Sequence, residues 1–400
     1  MKRLILTLII LTSFLAGLNA QSVPYVLLIS FDGFRWDYVH RGITPNLEKM
    51  KENGVSALSL RPAFPSKTFP NHLAIITGMY PENHGIIFNT FLDPFSGDYY
   101  SLRDTNAVRG SKWYWGEAFW ETAERQGITT ASYFWPGSEL PEMHRRPTLR
   151  EAYDHDRPYE ERVEGVINWL QLPQIERPHF ITLYFHDTDS YGHEFGPYSE
   201  KINQSIQRLD NILGLLYDKL SEIEMQDSVN VIVVSDHGMT ELNEDRVINI
   251  GDLLTEYECR IGGSSQVVMI DPSEDKLMEV YSILKENENH YKVYLKEDVP
   301  DYYHFSKHPY IYRIVIIAET GWIFSEKDDY EIRTKGDHGY DNHHTDMHGI
   351  FIADGPDFKD GYQTGTVWNI DIYSLLCKIF NITPSANIDA KLERIGFVLK

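Results

Sequence analysis

The stretch that decides the fold is "YVLLISFDG", residues 25–33, an apolar, strand-like run that ends in an aspartate. Two later stretches repeat this design: "HFITLYFHDTDSYGH" at 179–193 and "VNVIVVSDHGM" at 229–239. Continuous apolar strands are typical of a sheet that is covered on both faces, which is usually parallel and flanked by helices. Residues 203–220, "NQSIQRLDNILGLLYDKL", predict a helix that crosses between the second and third strands. We therefore predict an α/β fold.

Acidic and histidine side chains follow all three predicted strands: Asp32, Asp187, Asp189, His193, Asp236 and His237. A single aspartate after a strand is often only a turn former. Ligands of parallel sheets, however, collect beyond the carboxyl ends of the strands. Several buried carboxylates at one place also need a cation to compensate their charge. The repeated pattern therefore favours a metal site.

A fourth stretch, "GDHGYDN" at 336–342, adds His338 to the candidate ligands. Six of the seven candidates form two sets of three, with Asp189, His193 and His338 in one and Asp32, Asp236 and His237 in the other, and Asp187 is left out of both. Three protein ligands leave a coordination position open, as in catalytic zinc sites. Oxygen and nitrogen donors without a thiolate fit zinc, and they also fit manganese or iron.

The stretch "PSKTFPNH", residues 65–72, precedes the apolar run "LAIITGMY" and predicts the start of a helix. Ser66 or Thr68 could cap this helix, and Pro70 suits its first turn. A helix N-terminus also presents positive potential that suits a phosphate. A nearby metal would lower the pKa of the Thr68 hydroxyl and make it a nucleophile.

The amino terminus, "MKRLILTLIILTSFLAGLNA", has two cations, an apolar run and a small-residue end. We interpret residues 1–20 as a cleaved signal peptide. The alternative, a membrane anchor, needs about 20 apolar residues, more than this run supplies. We expect an exported protein, periplasmic or secreted, without an integral membrane segment after cleavage.

The chain has 400 residues and a formal net charge of −22, which disfavours binding to long nucleic acid. A small anionic ligand remains possible, because a metal inverts the local field. Cys259 and Cys377 provide no disulfide framework, and the sequence leaves their pairing and the oligomeric state open.

Residues 241–327 differ in character from the rest, with one predicted helix and two predicted strands but no catalytic-looking cluster. We predict an inserted α+β subdomain there. The catalytic domain would then comprise residues 21–240 and 328–400.

Six motifs together resemble one known family: "FDGFRWDY", "PSKTFPNHLAIITGMYPENHGIIFN", "YFWPGSEL", "DSYGHEFGP", "VSDHGM" and "GDHGYDN". They are similar to those of the nucleotide pyrophosphatase/phosphodiesterase family of the alkaline phosphatase superfamily, here in a bacterial-type exported member. The match runs from about residue 25 to 355 and is weakest over the proposed insert. It implies an alkaline-phosphatase-like, mostly parallel central sheet flanked by helices.

The resemblance also implies roles for individual residues. It implies two zinc ions per chain, held by the two ligand sets, and Thr68 as the nucleophile that also contacts metal. Asn89 matches the donor to a non-bridging phosphate oxygen. Phe69 and Tyr133 match the aromatic pair that sandwiches a nucleobase, and Lys67 and Tyr184 match residues that line the nucleotide pocket. From the residues alone, a phenylalanine at a helix start is more often part of the core, and the same applies to Tyr133.

Two neighbouring residues compete with the chosen ligands. Several family members have acid-acid-proline before the ligand aspartate, whereas residues 186–188 here are His-Asp-Thr. Asp189 is preferred over Asp187 because it lies four residues before His193. Asp187 is expected to orient an imidazole, and His348 is a rival of His338 that we expect in a supporting position.

We expect a two-zinc phosphodiesterase that cleaves nucleotide diester or phosphoanhydride bonds through a covalent threonine intermediate. The rival substrate is a glycerophosphodiester or phospholipid headgroup, because a quaternary ammonium also binds over aromatic rings. A rival of another class is an exported, non-catalytic metal-binding protein.

Overall fold

The computed structural model describes residues 23–327 and 331–400. The predicted signal peptide, residues 1–20, lies outside the described residues. Within the two described ranges, no helix has the length and hydropathy that crossing a bilayer requires.

Two sheets account for the larger strands of the described chain. In chain order these strands are β1 (Tyr25–Phe31), β2 (Val55–Ala57), β3 (Thr130–Tyr133), β4 (Leu149–Arg150), β5 (Phe180–Phe185), β6 (Val229–Val234), β7 (Cys259–Gly263), β8 (Val267–Pro272), β9 (Tyr291–Leu295), β10 (Ile314–Ala318), β11 (Phe351–Asp354) and β12 (Tyr362–Thr364). Short strands form separate pairs: Leu60–Arg61 with Val367–Trp368, Thr90–Leu92 with Tyr99–Ser101, Thr240–Glu241 with Gly336–Asp337, and Val247–Asn249 with Ile323–Ser325.

The central sheet has eight strands in the order β12-β2-β11-β6-β1-β5-β3-β4. Adjacent strands of this sheet run parallel to each other, except that β11 is antiparallel to both of its neighbours, β2 and β6. The predicted mostly parallel sheet is therefore confirmed.

Helices cover both faces of this sheet. The α-helices of the described chain are α1 (Pro45–Asn53), α2 (Thr68–Thr77), α3 (Pro81–His84), α4 (Thr105–Val108), α5 (Phe119–Glu124), α6 (Tyr159–Leu170), α7 (Asp187–Phe195), α8 (Glu200–Glu222), α9 (Gly251–Leu254), α10 (Leu277–Glu286) and α11 (Asp371–Phe380). The predicted crossover helix falls within α8, whose first turn is capped by the Ser199 hydroxyl accepting from the Ile202 amide at 3.2 Å.

The central strands are apolar on both faces because each face has its own core. Along β1, Val26 and Leu28 pack into one buried cluster, while Leu27 and Ile29 pack into another on the opposite face. This division follows from the alternation of side chains along a strand. It explains why the sequence shows continuous apolar runs instead of a polar-apolar alternation.

The second sheet has the order β7-β8-β10-β9 and is antiparallel throughout. The sheet and α10 share an apolar cluster that includes Ile270, Val280 and Ile316. All five elements lie within residues 241–327, the predicted inserted subdomain. The division into a catalytic core and an insert stays a prediction about domain organisation.

Candidate functional site

The site lies where the carboxyl ends of the three central strands meet. Strand β1 pairs with β5 on one side and with β6 on the other, so their ends are adjacent. Asp32 follows β1 directly, and Asp236 lies two residues after β6. Helix α7 begins two residues after β5 and carries Asp189 and His193 on one face, because they are four residues apart.

The first predicted ligand set is brought together. The Asp189 Oδ1 atom lies 3.3 Å from His193 Nε2 and 3.5 Å from His338 Nε2. One ligand atom from each of these three residues lies within 4.8 Å of the others, so they could hold a metal ion.

The second predicted set also converges, and it is buried. The Nε2 atom of His237 lies 3.4 Å from Asp32 Oδ1 and 3.1 Å from Asp236 Oδ2. The two sets adjoin, because the rings of His237 and His338 stack with their centroids 3.5 Å apart.

Each of the three histidines is oriented by a main-chain carbonyl. The Nδ1 atoms of His193, His237 and His338 lie 2.9, 2.8 and 2.8 Å from the carbonyl oxygens of Gly336, Gly238 and Ser66, respectively. A carbonyl only accepts, so each Nδ1 carries the proton and each Nε2 keeps its lone pair for the centre of the site. This is the arrangement expected of metal-binding imidazoles.

The protein provides few hydrogen-bond donors to the carboxylates of the two ligand sets. One oxygen each of Asp32, Asp189 and Asp236 is buried without a hydrogen-bond donor in the described chain. Burial and the neighbouring Asp236 raise the pKa of Asp32 well above its usual value. Buried anionic oxygens without donors call for a cation.

Thr68 is the first residue of α2, and its hydroxyl lies 3.2 Å from His237 Nε2. It does not cap the helix, since no side-chain cap bond is present there. Ser66 does not cap it either, because its hydroxyl donates to the Tyr340 carbonyl at 3.0 Å. The Asn89 Oδ1 atom accepts from the Phe69 amide at 3.0 Å, which places Asn89 beside the first turn of α2.

A cavity of about 430 Å³ opens onto these groups, and Asp32, Thr68, Asn89, Asp189, His193 and His338 lie on its wall. Aromatic side chains form much of the remaining lining: Phe69, Phe134, Trp135, Tyr153 and Tyr184. The Tyr184 hydroxyl donates to Asp32 Oδ2 at 2.6 Å, so one wall of the cavity is bonded to the second ligand set.

Two predicted pocket residues lie elsewhere. Tyr133 does not line the cavity: its ring packs on Phe134 and Trp169, and its hydroxyl accepts from Arg157 at 3.2 Å. Lys67 is also absent from the lining, and its ammonium lies 3.2 Å from Asp337 Oδ1.

The two rival ligands serve other contacts. Asp187 accepts from Ser205 at 2.8 Å and from Arg208 at 2.9 Å, so it fastens α7 to α8 and contacts no ligand imidazole. His348 has both ring nitrogens engaged, Nδ1 with the Ser59 hydroxyl at 2.9 Å and Nε2 with the Asn342 carbonyl at 3.0 Å. Neither is available for a metal.

Several residues of the cavity wall are not among those predicted from the sequence, and they include Tyr153, His155 and His186. Their loops show no periodic pattern of apolar residues, so the sequence gives little information from which these positions could be predicted. Only the position of His186, directly after β5, matched the rule that placed the other site residues.

Comparisons with known proteins agree with the family resemblance of the sequence motifs. Residues 26–341 match the family model described as type I phosphodiesterase / nucleotide pyrophosphatase. Human ectonucleotide pyrophosphatase/phosphodiesterase family member 1 is 36% identical over 377 residues, which cover 91% of this chain and 40% of that protein. Bis(5′-adenosyl)-triphosphatase enpp4 of Xenopus laevis is 34% identical over 371 residues, covering 92% of this chain and 80% of that protein. The chain thus spans about two fifths of the human relative's length.

A solved structure is similar throughout. Murine ectonucleotide pyrophosphatase / phosphodiesterase 5, in an inactive threonine-to-alanine variant in complex with AMP, superposes with a TM-score of 0.89 at 32% identity. The match covers 94% of this chain and 100% of that one. The predicted alkaline-phosphatase-like α/β fold is confirmed by this likeness.

Proposed function

The chain belongs to the type I phosphodiesterase / nucleotide pyrophosphatase family, and from this premise we propose that it is a metal-dependent nucleotide hydrolase. It would cleave phosphodiester or phosphoanhydride bonds and release a nucleoside 5′-monophosphate. One observation carries the proposal: six carboxylate and imidazole side chains converge beside the Thr68 hydroxyl at an aromatic cavity. The AMP held by the murine relative supports a nucleotide substrate.

We assign one zinc ion to each ligand set, with Thr68 as a further ligand of the set that contains Asp32. The buried carboxylate oxygens without donors and the imidazole Nε2 atoms grouped with them support this assignment, as does the absence of a thiolate from both sets. Bound there, the ions would supply positive charge that lowers the pKa of the Thr68 hydroxyl and offsets charge on the departing oxygen.

Thr68 would act as the nucleophile. Its hydroxyl proton passes through solvent to the departing oxygen, Oγ1 bonds to phosphorus, and the bond to the leaving group breaks with its electron pair on that oxygen. Water then attacks the phosphorus of the phosphothreonine, so that Oγ1 is released and regains a proton from that water. Each displacement inverts the configuration at phosphorus, so the product retains it.

Asn89 and the cavity wall would bind the rest of the substrate. The Asn89 Oδ1 atom is occupied by the Phe69 amide, which leaves the Nδ2 donor for a non-bridging phosphate oxygen. A neutral donor suits the single charge of a diester, whereas the higher charge of a monoester would favour an arginine. The aromatic lining offers faces for a nucleobase, and such stacking is worth about 1–3 kcal/mol per base.

We also propose that the protein is exported, because the apolar run at its amino terminus is typical of a signal peptide. The intact mass of the mature protein tests this: loss of residues 1–20 supports export, and an uncleaved chain opposes it.

The nucleophile is tested with Thr68→Ala and Thr68→Ser, assayed on the p-nitrophenyl ester of thymidine 5′-monophosphate and on glycerophosphocholine. We expect the alanine variant to keep its fold and zinc but to lose nearly all turnover, and the serine variant, which keeps a hydroxyl, to retain part of it. Normal turnover by Thr68→Ala would reject the covalent mechanism. Faster turnover of glycerophosphocholine by the wild type would reject the nucleotide as the preferred substrate.

A further inference from the structure

One carboxylate connects the residue before the proposed nucleophile to the segment of residues 336–340, here called the ligand segment. Lys67 directly precedes Thr68, and Asp337 directly precedes His338. The Lys67 ammonium donates to Asp337 Oδ1 at 3.2 Å, and the His338 main-chain N–H donates to the same oxygen at 2.7 Å. This oxygen therefore joins the loop before α2 to the main chain of a predicted metal ligand.

The two residues before the nucleophile are both fixed on the ligand segment. Lys67 is 8% exposed, and its side chain lies so close to Gly339 that a Cβ atom there would be 2.3 Å from Lys67 Cε. The Ser66 hydroxyl donates to the Tyr340 carbonyl at 3.0 Å and accepts from the Gly339 amide at 3.1 Å. The position of the nucleophile therefore depends on the position of the ligand segment.

The second oxygen of Asp337 is bound by a side chain of the predicted insert. The Gln266 Nε2 atom donates to Asp337 Oδ2 at 2.5 Å and to the Ser265 hydroxyl at 2.9 Å. A carboxylate only accepts, so the amide nitrogen of Gln266 faces it. With both oxygens bonded, the carboxylate of Asp337 is held in one orientation, and Gln266 thereby determines the direction in which Oδ1 faces Lys67.

Gln266 comes from a well-fixed part of the insert. It directly precedes β8, and its carbonyl accepts from the Ala318 amide at the end of β10 at 2.9 Å. Its side chain is fully buried. Glutamine is mostly an exposed residue, and a buried amide is costly unless it is hydrogen-bonded. The bond to Asp337 gives a physical reason for a polar residue at this position.

The insert is also fastened to the rest of the chain at a second place. The buried carboxylate of Glu82, in α3, accepts from the main-chain amides of Ser306 and Lys307 at 2.8 Å each. The ring of Phe305 packs edge-on against Phe64, in the loop that leads to α2, with centroids 5.4 Å apart. These contacts keep the insert, and with it Gln266, in place beside the nucleophile loop.

This chain of contacts acts on alignment and not on substrate binding. Lys67, Asp337 and Gln266 all lie outside the wall of the cavity. A change in their positions would therefore reach the reaction through the nucleophile that follows Lys67. Small misplacements of a reacting group lower the rate of the chemical step.

We propose that Gln266 is a positioning residue: through Asp337 and Lys67 it fixes the position of the Thr68 hydroxyl. This role rests on the proposed function and extends it, because residues 241–327 then contribute to catalysis from outside the cavity.

The test uses three variants of this link and one control. Gln266→Met removes the donor at similar length, and Gln266→Glu places a second carboxylate against Asp337. The double variant Gln266→Glu/Asp337→Asn exchanges donor and acceptor, so that a hydrogen bond can form again. Val280→Ala is the matched control, because Val280 is fully buried in the apolar cluster of the insert and takes no part in the link.

Steady-state kcat and KM are measured on the p-nitrophenyl ester of thymidine 5′-monophosphate, together with zinc content and the melting temperature of the metal-free protein. We expect Gln266→Met to lower kcat about 10- to 100-fold, with KM and zinc content nearly unchanged, because the nucleophile is misaligned. Gln266→Glu should lose more, and the double variant should recover part of both kcat and the melting temperature. Val280→Ala should lower the melting temperature but keep kcat.

A normal kcat in Gln266→Met, or a loss confined to KM, would overturn the positioning role. An equal loss of kcat in Val280→Ala would also overturn it, because the insert would then act only through stability. The same holds if zinc is lost along with kcat, or if the double variant is no better than Gln266→Glu. A wild-type protein that is inactive on the ester would instead reject the proposed function, and the melting temperatures of the metal-free variants would still test the bond between Gln266 and Asp337.

Discussion

Asn89→Asp separates the contact that the structure shows for this side chain, with the Phe69 amide, from the substrate contact that we propose for it. A backbone N–H only donates, so the Asn89 atom 3.0 Å from the Phe69 amide is the oxygen, and the amide nitrogen is left for the substrate. Aspartate keeps the acceptor but puts a second oxygen where the donor was. Phe69 is the second residue of α2, so the new carboxylate also lies near a helix N-terminus, where it is worth about 0.3–1 kcal/mol.

The magnitudes follow from these contacts. We expect Asn89→Asp to match or slightly exceed the wild-type free energy of unfolding, and Asn89→Ala to fall about 0.5–1.5 kcal/mol below it, since alanine loses the bond to the Phe69 amide. Loss of a donor to developing negative charge costs about 2.7–4 kcal/mol, or about 100- to 1000-fold in kcat. Repulsion between the new carboxylate and the phosphate adds to this loss.

The assay is turnover of the p-nitrophenyl ester of thymidine 5′-monophosphate, with zinc content and denaturant unfolding measured on the same samples. Asn89→Ala is the matched variant, because it lacks both the donor and the acceptor. An aspartate variant that turns over at the wild-type rate with normal zinc content would refute the reasoning. So would an aspartate variant that is as destabilised as the alanine variant, because the bond to α2 would then not be what Asn89 contributes to stability.

Two further predictions concern the metal centre and the aromatic wall. Chelation should abolish turnover and lower the melting temperature, because buried oxygens of Asp32 and Asp236 lose their compensation; zinc at about 100 times its Kd should restore about 2.7 kcal/mol. Full turnover by a metal-free protein would contradict the zinc assignment. Tyr153→Ala should raise KM for nucleotides by a factor that corresponds to about 1–3 kcal/mol of stacking. Tyr133→Leu, which removes the ring but leaves an apolar side chain in the cluster, should leave KM unchanged, because Tyr133 does not line the cavity; a reversed pattern would favour Tyr133 as the stacking residue.

The convergence of the ligand sets could be predicted because it depends on topology. Asp32 and Asp236 each follow a strand of a parallel sheet, and adjacent parallel strands end at the same edge. The four-residue spacing of Asp189 and His193 adds the geometry of one helix face. These relations are encoded locally, in runs of apolar residues and in short intervals.

The cavity wall could not be predicted in the same way. Tyr133 is the last residue of β3, and its ring belongs to the apolar cluster on one face of the sheet. At Phe134 the backbone adopts a φ of 71°, and the next residues, Phe134 and Trp135, line the cavity. A left-handed conformation is uncommon for a bulky residue, and the motif does not predict it. Because the chain turns there, Phe134 and Trp135 line the cavity and Tyr133 does not. His348 shows the same limit, because only the fold reveals that Ser59 and Asn342 occupy its ring nitrogens.

The orientation of the three histidines cannot be predicted from the sequence, because main-chain carbonyl oxygens set it. Each of His193, His237 and His338 bonds through Nδ1 to a carbonyl oxygen, and no side chain of the described residues shares in that bond. A substitution that alters only a neighbouring side chain therefore leaves the proton on Nδ1 and the lone pair on Nε2. Asp32 differs in this respect, because a side chain bonds to it: its Oδ2 atom accepts from the Tyr184 hydroxyl. The backbone therefore determines which imidazole nitrogens can bind metal. The cavity wall contacts the second ligand set through the hydrogen bond from Tyr184 to Asp32.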